Sequence, residues 1–166
     1  MESEQPMRHH SLHATRLAHE HIGTIMTFVY SRRPLGQLVE DKFRGEWKYL
    51  WRALFEIPEE RAERALLELG LYIRIIDDGE GRVLSSQLYG DRVAFGEIIG
   101  TDGSRTPLRI REVANKIIHA ERYKWNVAAD SGPTAVCIAS QDECRKWSSA
   151  SINLVALAAF CGQLMS

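Results

Sequence analysis

No stretch of the chain is apolar for the roughly 18 residues that a membrane-spanning helix needs. The longest apolar-rich run, "INLVALAAFCGQLM", stops short of that and lies near the C-terminus. The opening "MESEQPMRHH" lacks the basic-then-apolar order of a signal peptide, so export is not expected and a cytoplasmic location is. Cysteine is scarce: Cys137, Cys144 and Cys161 are three in number, with no CxxC spacing. That suits a reducing compartment and argues against a structural zinc site. Charge of one sign is missing as well, since 21 Lys and Arg stand against 22 Asp and Glu. No global field would draw in nucleic acid, and any such contact would have to be local. GxSxG, Walker, GxGxxG and HExxH patterns are absent, which leaves serine-hydrolase, NTPase, dinucleotide and zinc-protease readings without support. There is no internal repeat and no low-complexity tract.

The 166 residues are one domain's length, enough to bury about 70% of the unfolded surface around a single core. Helical periodicity dominates the first two-thirds. "SLHATRLAHEHIGTIMTFVYS" spaces Leu12, Leu17, Ile22, Ile25, Met26 and Val29 as an amphipathic helix, which Pro34 is expected to stop. "LGQLVEDKFRGEWKYLWRALFEI" presents a wide apolar face, with Phe43, Trp47, Trp51 and Phe55 read as core in preference to a base-stacking platform. Pro58, Glu59 and Glu60 then suit a helix start. The next helix turns Ala62, Leu66, Leu69, Ile73 and Ile76 inward and ends at "DDGEG".

The middle is glycine-punctuated, and any strand in it, such as "RVAFGEIIG", would be short. "TAVCIAS" and "CRKWSSASI" read as two short strands joined at "QDE", before a last helix from about Ser151 to Leu164. The expected fold is therefore mainly α: a single helical-bundle domain over 1–166 with a small two-stranded β appendage near the C-terminus and a flexible 1–10.

"REVANKIIHAERYKW", Arg111 to Trp125, carries the chemistry-bearing pattern. It predicts a helix from Arg111 to Tyr123 on which Arg111, Asn115 and His119 step by four residues and stay within about 80° of one another, a polar stripe. His119 is the sole histidine beyond the N-terminal segment. "ANKIIHA" resembles the signature of the HEPN superfamily of helical-bundle nucleases and nucleotide-binding modules, commonly Arg-Asn-Lys-x-x-His followed by a small residue. Asn115, Lys116, His119 and Ala120 match by position, whereas Ala114 stands where the family has arginine. The resemblance covers one helix of the chain.

It implies metal-independent RNA cleavage. His119 would be the general acid or base and Asn115 would orient it, with Arg111 or Lys116 facing the phosphate. Arg111 starts about 12 Å along the helix axis from His119, and Lys116 lacks the guanidinium fork. The resemblance also implies a homodimer that completes the site. Beyond the stripe, Trp125 with Arg122 and Lys124 forms a candidate basic-aromatic binding patch. His9 and His13 are four apart, but no third ligand is fixed by the spacing, so no metal and no cofactor is expected.

Two functions follow from different classes. One is a HEPN-like RNA-directed protein, a candidate ribonuclease of a toxin or defence system. The other is a non-catalytic helical module that binds a partner protein or small ligand, and the missing motif arginine favours it.

Overall fold

The computed structural model describes residues 5–43, 45, 49–79, 84, 92–128 and 131–164. Its chain runs as helix α1 (Gln5–Lys42), a π-type turn at Arg52–Glu56, and helix α2 (Ile57–Gly79). Strands β1 (Gly96–Ile99) and β2 (Arg105–Pro107) follow, then helix α3 (Ile110–Ile118), strands β3 (Ala120–Asn126), β4 (Thr134–Ala139) and β5 (Ser149–Asn153), and helix α4 (Leu154–Gln163).

The five strands form one antiparallel sheet in the order β2-β1-β5-β4-β3. The expected helical bundle with a two-stranded appendage is therefore corrected to an α+β fold. β4 and β5 lie in the segments read as strands, but they are the inner part of a larger sheet. Arg122, Tyr123, Lys124 and Trp125 belong to edge strand β3 and pair with Ile138 back to Ala135. Their residue types allow either state. The deciding feature is period two: Tyr123 and Trp125 are half-buried, while Arg122 and Lys124 are exposed. Pro107 ends β2, a position that suits proline because β2 is the other edge.

One sheet face is the core. Ile98, Ala135, Cys137, Ala139, Ala150 and Ile152 are buried on it, against the helices. α1 contributes Ala14, Ala18, Ile22, Ile25 and Val29, and α2 contributes Ala62, Leu66, Leu69, Ile73 and Ile76, the inward set read from its periodicity. Each fully buried Leu or Ile of this set stabilises the fold by about 1.5–3 kcal/mol. α1 and α2 form an antiparallel hairpin, stapled toward its connected end by Arg32 Nη1 to Glu59 Oε2 at 2.9 Å. The other sheet face carries Glu97, Ile99, Arg122, Lys124, Val136, Ile138, Ser149 and Ser151, which are half-buried or exposed, as an antiparallel sheet permits.

Pro34 sits inside α1, not at its end. The carbonyl it deprives of a donor is that of Tyr30, which is exposed, so water can satisfy it. The break comes at Phe43, which is not helical, and Gly45 with φ of 109°. Trp47 lies outside the described residues. Trp51 is 55% exposed and stacks on buried Phe55 at 4.3 Å, so only Phe55 of that pair is core.

Two glycines fix approach distances. Gly96, at φ 141°, lets β1 enter beside β5, where a Cβ would lie 1.8 Å from Ser151 O. Gly70 lets α2 touch α3, where a Cβ would lie 2.7 Å from Ile117 Cγ2.

Candidate functional site

α3 starts after Arg109, whose N–H donates to Glu112 Oε2 at 3.2 Å, placing a carboxylate at the positive end of the helix. Ile110, Val113, Ala114 and Ile117 are buried and hold α3 against α2 and the sheet. The helix ends at Ile118, so the predicted extent to Tyr123 is too long by the first residues of β3. His119 is the residue after its last turn, and its N–H donates to Asn115 O at 3.0 Å. The end has a physical cause. Tyr123 must enter the sheet, and its hydroxyl donates back to Ile117 O at 2.8 Å, satisfying a carbonyl that the stopped helix leaves free.

The four residues assigned to catalysis separate into three environments. Arg111 Nη1 donates to Asp77 Oδ2 at 2.6 Å and to Asp78 Oδ1 at 3.0 Å. Arg74 donates from Nη1 to Asn115 Oδ1 at 2.6 Å and from Nε to Asp78 Oδ2 at 3.1 Å. Arg111 and Asn115 thus belong to one chain of charge-assisted bonds that ties the last turn of α2 to α3. The crevice beside them, lined by Ile73, Arg74, Asp77, Ile110, Arg111 and Ala114, has no room for a water molecule.

Lys116 turns the other way. Its Nζ stands 4.5 Å from the centroid of the Trp147 ring, and burial pushes its pKa below the ordinary lysine value. Trp147 is itself buried and donates from Nε1 to Glu143 Oε2 at 3.0 Å. The bond from Trp147, then that from Lys146, holds the Glu143 carboxyl below its usual range, and His119 adds a smaller attraction.

His119 is exposed at the surface of this corner. Asn115 shares the helix with it, but the side-chain oxygen of Asn115 is occupied by Arg74. The arrangement brings together Arg111, Asn115, Arg74, Asp77 and Asp78, and leaves His119 and Lys116 outside that group.

The candidate binding patch is also divided. Arg122 and Lys124 point from β3 to the open sheet face. Trp125 points to the core side, where its ring meets Phe28 edge-on at 5.2 Å. The histidine-rich start packs in part: His19 Nε2 is 2.7 Å from Cys161 O, and His21 stacks on Tyr72 with Nε2 3.0 Å from Glu68 Oε2. Among the described residues no cluster of His, Cys, Asp or Glu is arranged to hold a metal ion, and no helix is long and apolar enough to cross a membrane.

A different feature has the shape of a binding site. Gly23, Thr24, Thr27, Phe28 and Ser31 of α1, with Pro58 and Arg61 of α2, line an open groove of about 520 Å³. The volume falls in the range of about 300–1,000 Å³ typical of ligand sites. Phe28 and Pro58 supply apolar surface. The Thr24 hydroxyl donates to Glu20 O at 3.1 Å and the Ser31 hydroxyl to Phe28 O at 3.1 Å, which leaves their oxygens able to accept a further bond. Arg61 is exposed at the groove. Sequence reading missed it because its two walls are some thirty residues apart and each, taken alone, is an ordinary solvated helix face. The one available signal was the run of small residues Gly23, Thr24, Thr27 and Ser31 on the outer side of α1.

The chain matches no protein-family model, no curated protein and no solved structure.

Proposed function

We propose that the protein is a non-catalytic α+β interaction module that takes a short segment of a partner protein into the groove between α1 and α2. The observation that carries this reading is the contrast between the two places. Around α3, Arg111, Asn115 and Lys116 are engaged in contacts within the chain, and the crevice beside Arg111 has no room for a water molecule. At the groove, an apolar floor, hydroxyl groups and the Arg61 guanidinium border open space. That chemistry fits a segment with an apolar side chain beside a carboxylate, since Arg offers a planar fork to a carboxylate.

The ribonuclease reading rests on the resemblance of "ANKIIHA" to the HEPN signature. It would need a cation at the phosphate, and the guanidinium offered for that role is held by two aspartates. A second protein could supply the cation, but Asn115 would also have to release Arg74 in order to orient His119.

The test is site-specific photocrosslinking in cells. A photoreactive residue at Thr27 should give an adduct with another protein, and Arg61→Glu should remove it. The same residue at Arg122 on the open sheet face should give none. Absence of an adduct at Thr27, together with RNA cleavage by the purified protein that disappears with His119→Ala, would refute the proposal and restore the nuclease reading.

A further inference from the structure

Among the described residues, α2 carries an exposed apolar stripe. Leu67, Leu71 and Ile75 are 39%, 44% and 48% exposed and, at about 100° per residue, lie within about 80° of one another. They occupy the outer side of the helix, between the edge where Arg74 and Asp77 meet α3 and the edge where Glu68 and Tyr72 meet α1.

The stripe is flanked by opposite charges placed symmetrically about Leu71. Arg64 lies seven residues before it (71 − 64) and Asp78 seven after it (78 − 71), while Leu67 and Ile75 lie four before and four after. Arg64 and Asp78 both project within about 20° of the direction of Leu71. Arg64 is exposed, and the Asp78 carboxylate, although it accepts from Arg74 and Arg111, is 49% exposed and has further acceptor capacity.

We infer that the outer face of α2 is a homodimer interface in which two copies pack antiparallel about a two-fold axis at Leu71. In that arrangement Leu71 meets its own copy, Leu67 meets Ile75 of the second chain, and Arg64 meets its Asp78, as an isologous contact requires. A parallel pairing would set Arg64 against Arg64 and Asp78 against Asp78, so the charge pattern selects the antiparallel one. The exposed α2 residues thereby acquire the cover that an apolar helix stripe ordinarily has. This interface is separate from the α1–α2 groove, and each can be absent without the other.

Disulfide trapping reads both the dimer and its direction. In a Cys144→Ser background, which removes the exposed native thiol, Leu71→Cys should cross-link to itself under mild oxidant. Leu67→Cys alone and Ile75→Cys alone should cross-link poorly, because in the antiparallel pair each is roughly 12 Å along the axis from its own copy. A mixture of the two should give the heterologous adduct. Light scattering of the unmodified protein at about 100 µM, a concentration that detects weak association, should give twice the monomer mass, and Leu71→Lys should weaken self-association at least tenfold while leaving cooperative unfolding in place. A monomer with no cross-link at Leu71 would overturn the inference. Efficient self-cross-linking of both Leu67→Cys and Ile75→Cys would overturn it too, in favour of a parallel pairing.

Discussion

Arg111 and Asp77 are joined at 2.6 Å, from Nη1 to Oδ2, with the Asp77 side chain 3% exposed. A charge so far from water is kept by its partners, and Arg111 is the cation that meets it from α3. The polar stripe that reads as an active site is thereby used to close α2 on α3. Arg74 extends the same chain of bonds to Asn115.

His119 is outside this staple, so its removal should be nearly silent for folding. His119→Ala is expected to change the unfolding free energy read from urea melts by no more than about 0.5 kcal/mol, the usual range for an exposed site. A loss of several kcal/mol would show that His119 is tied into the structure by contacts of a kind the fold does not display.

Gly70 and Gly36 should respond in opposite directions to alanine. A Cβ on Gly70 meets Ile117 Cγ2 at 2.7 Å, so overpacking between α2 and α3 should cost about 1–3 kcal/mol, outweighing the gain in helix propensity. Nothing lies within 4 Å of a Cβ on Gly36, and there Gly→Ala should stabilise by about 0.5–1 kcal/mol. Thermal unfolding of the two variants separates the cases.

The acid limb of stability should show two carboxyls of opposite sign. The hydrogen bond from Arg111, with Arg74 adding to it, holds Asp78 below its usual pKa. Its contribution is therefore present above the ordinary aspartate range and lost as pH falls through the native value. Asp78→Asn should destabilise at pH 7, and the difference should narrow below about pH 4. Burial, then the neighbouring Glu59 and Glu60, pushes Glu63 the other way. Ionised Glu63 opposes folding, so Glu63→Gln should raise the melting midpoint at pH 7 by on the order of 1 °C, and the gain should vanish in acid.

Thiol chemistry should count one reactive cysteine. Cys144 is exposed, whereas Cys137 and Cys161 are buried, and burial pushes both of their thiols up to about 12. An aromatic disulfide reagent at pH 8 should titrate one thiol in the native protein and three in urea. Rapid reaction of all three without denaturant would contradict the packing of α4 and β4.

How far the sequence carries depends on whether an element's pattern is local. α2 was legible because its inward residues keep helical spacing between Pro58 and the aspartate pair. β4 was legible from "TAVCIAS", whose buried residues alternate. β3 was not, because "AERYKWN" continues the residue types of α3 without a break, and strand state is conferred by pairing with β4. The three residues of β2 are too few to show any period.

The site behaved the same way. Spacing put Arg111, Asn115 and His119 on one line, but their partners, Asp77 and Arg74, are more than thirty residues upstream. One hint was present in the sequence. Arg74 stands four residues before Asp78, the spacing of a helical ion pair, so the end of α2 was already organised to receive charge.

The central claim is that Arg111 serves the fold and not a reaction, and a double-mutant cycle of Arg111→Ala and Asp77→Ala, read by urea unfolding, tests it most directly. Arg111→Ala alone should cost about 3 kcal/mol, because it strips the buried Asp77 carboxylate of its α3 partner. The pair should show a coupling energy of about 1–3 kcal/mol. A coupling near zero, with Arg111→Ala as stable as the wild type but unable to cleave RNA that the wild type cleaves, would contradict the account and make Arg111 part of an active site.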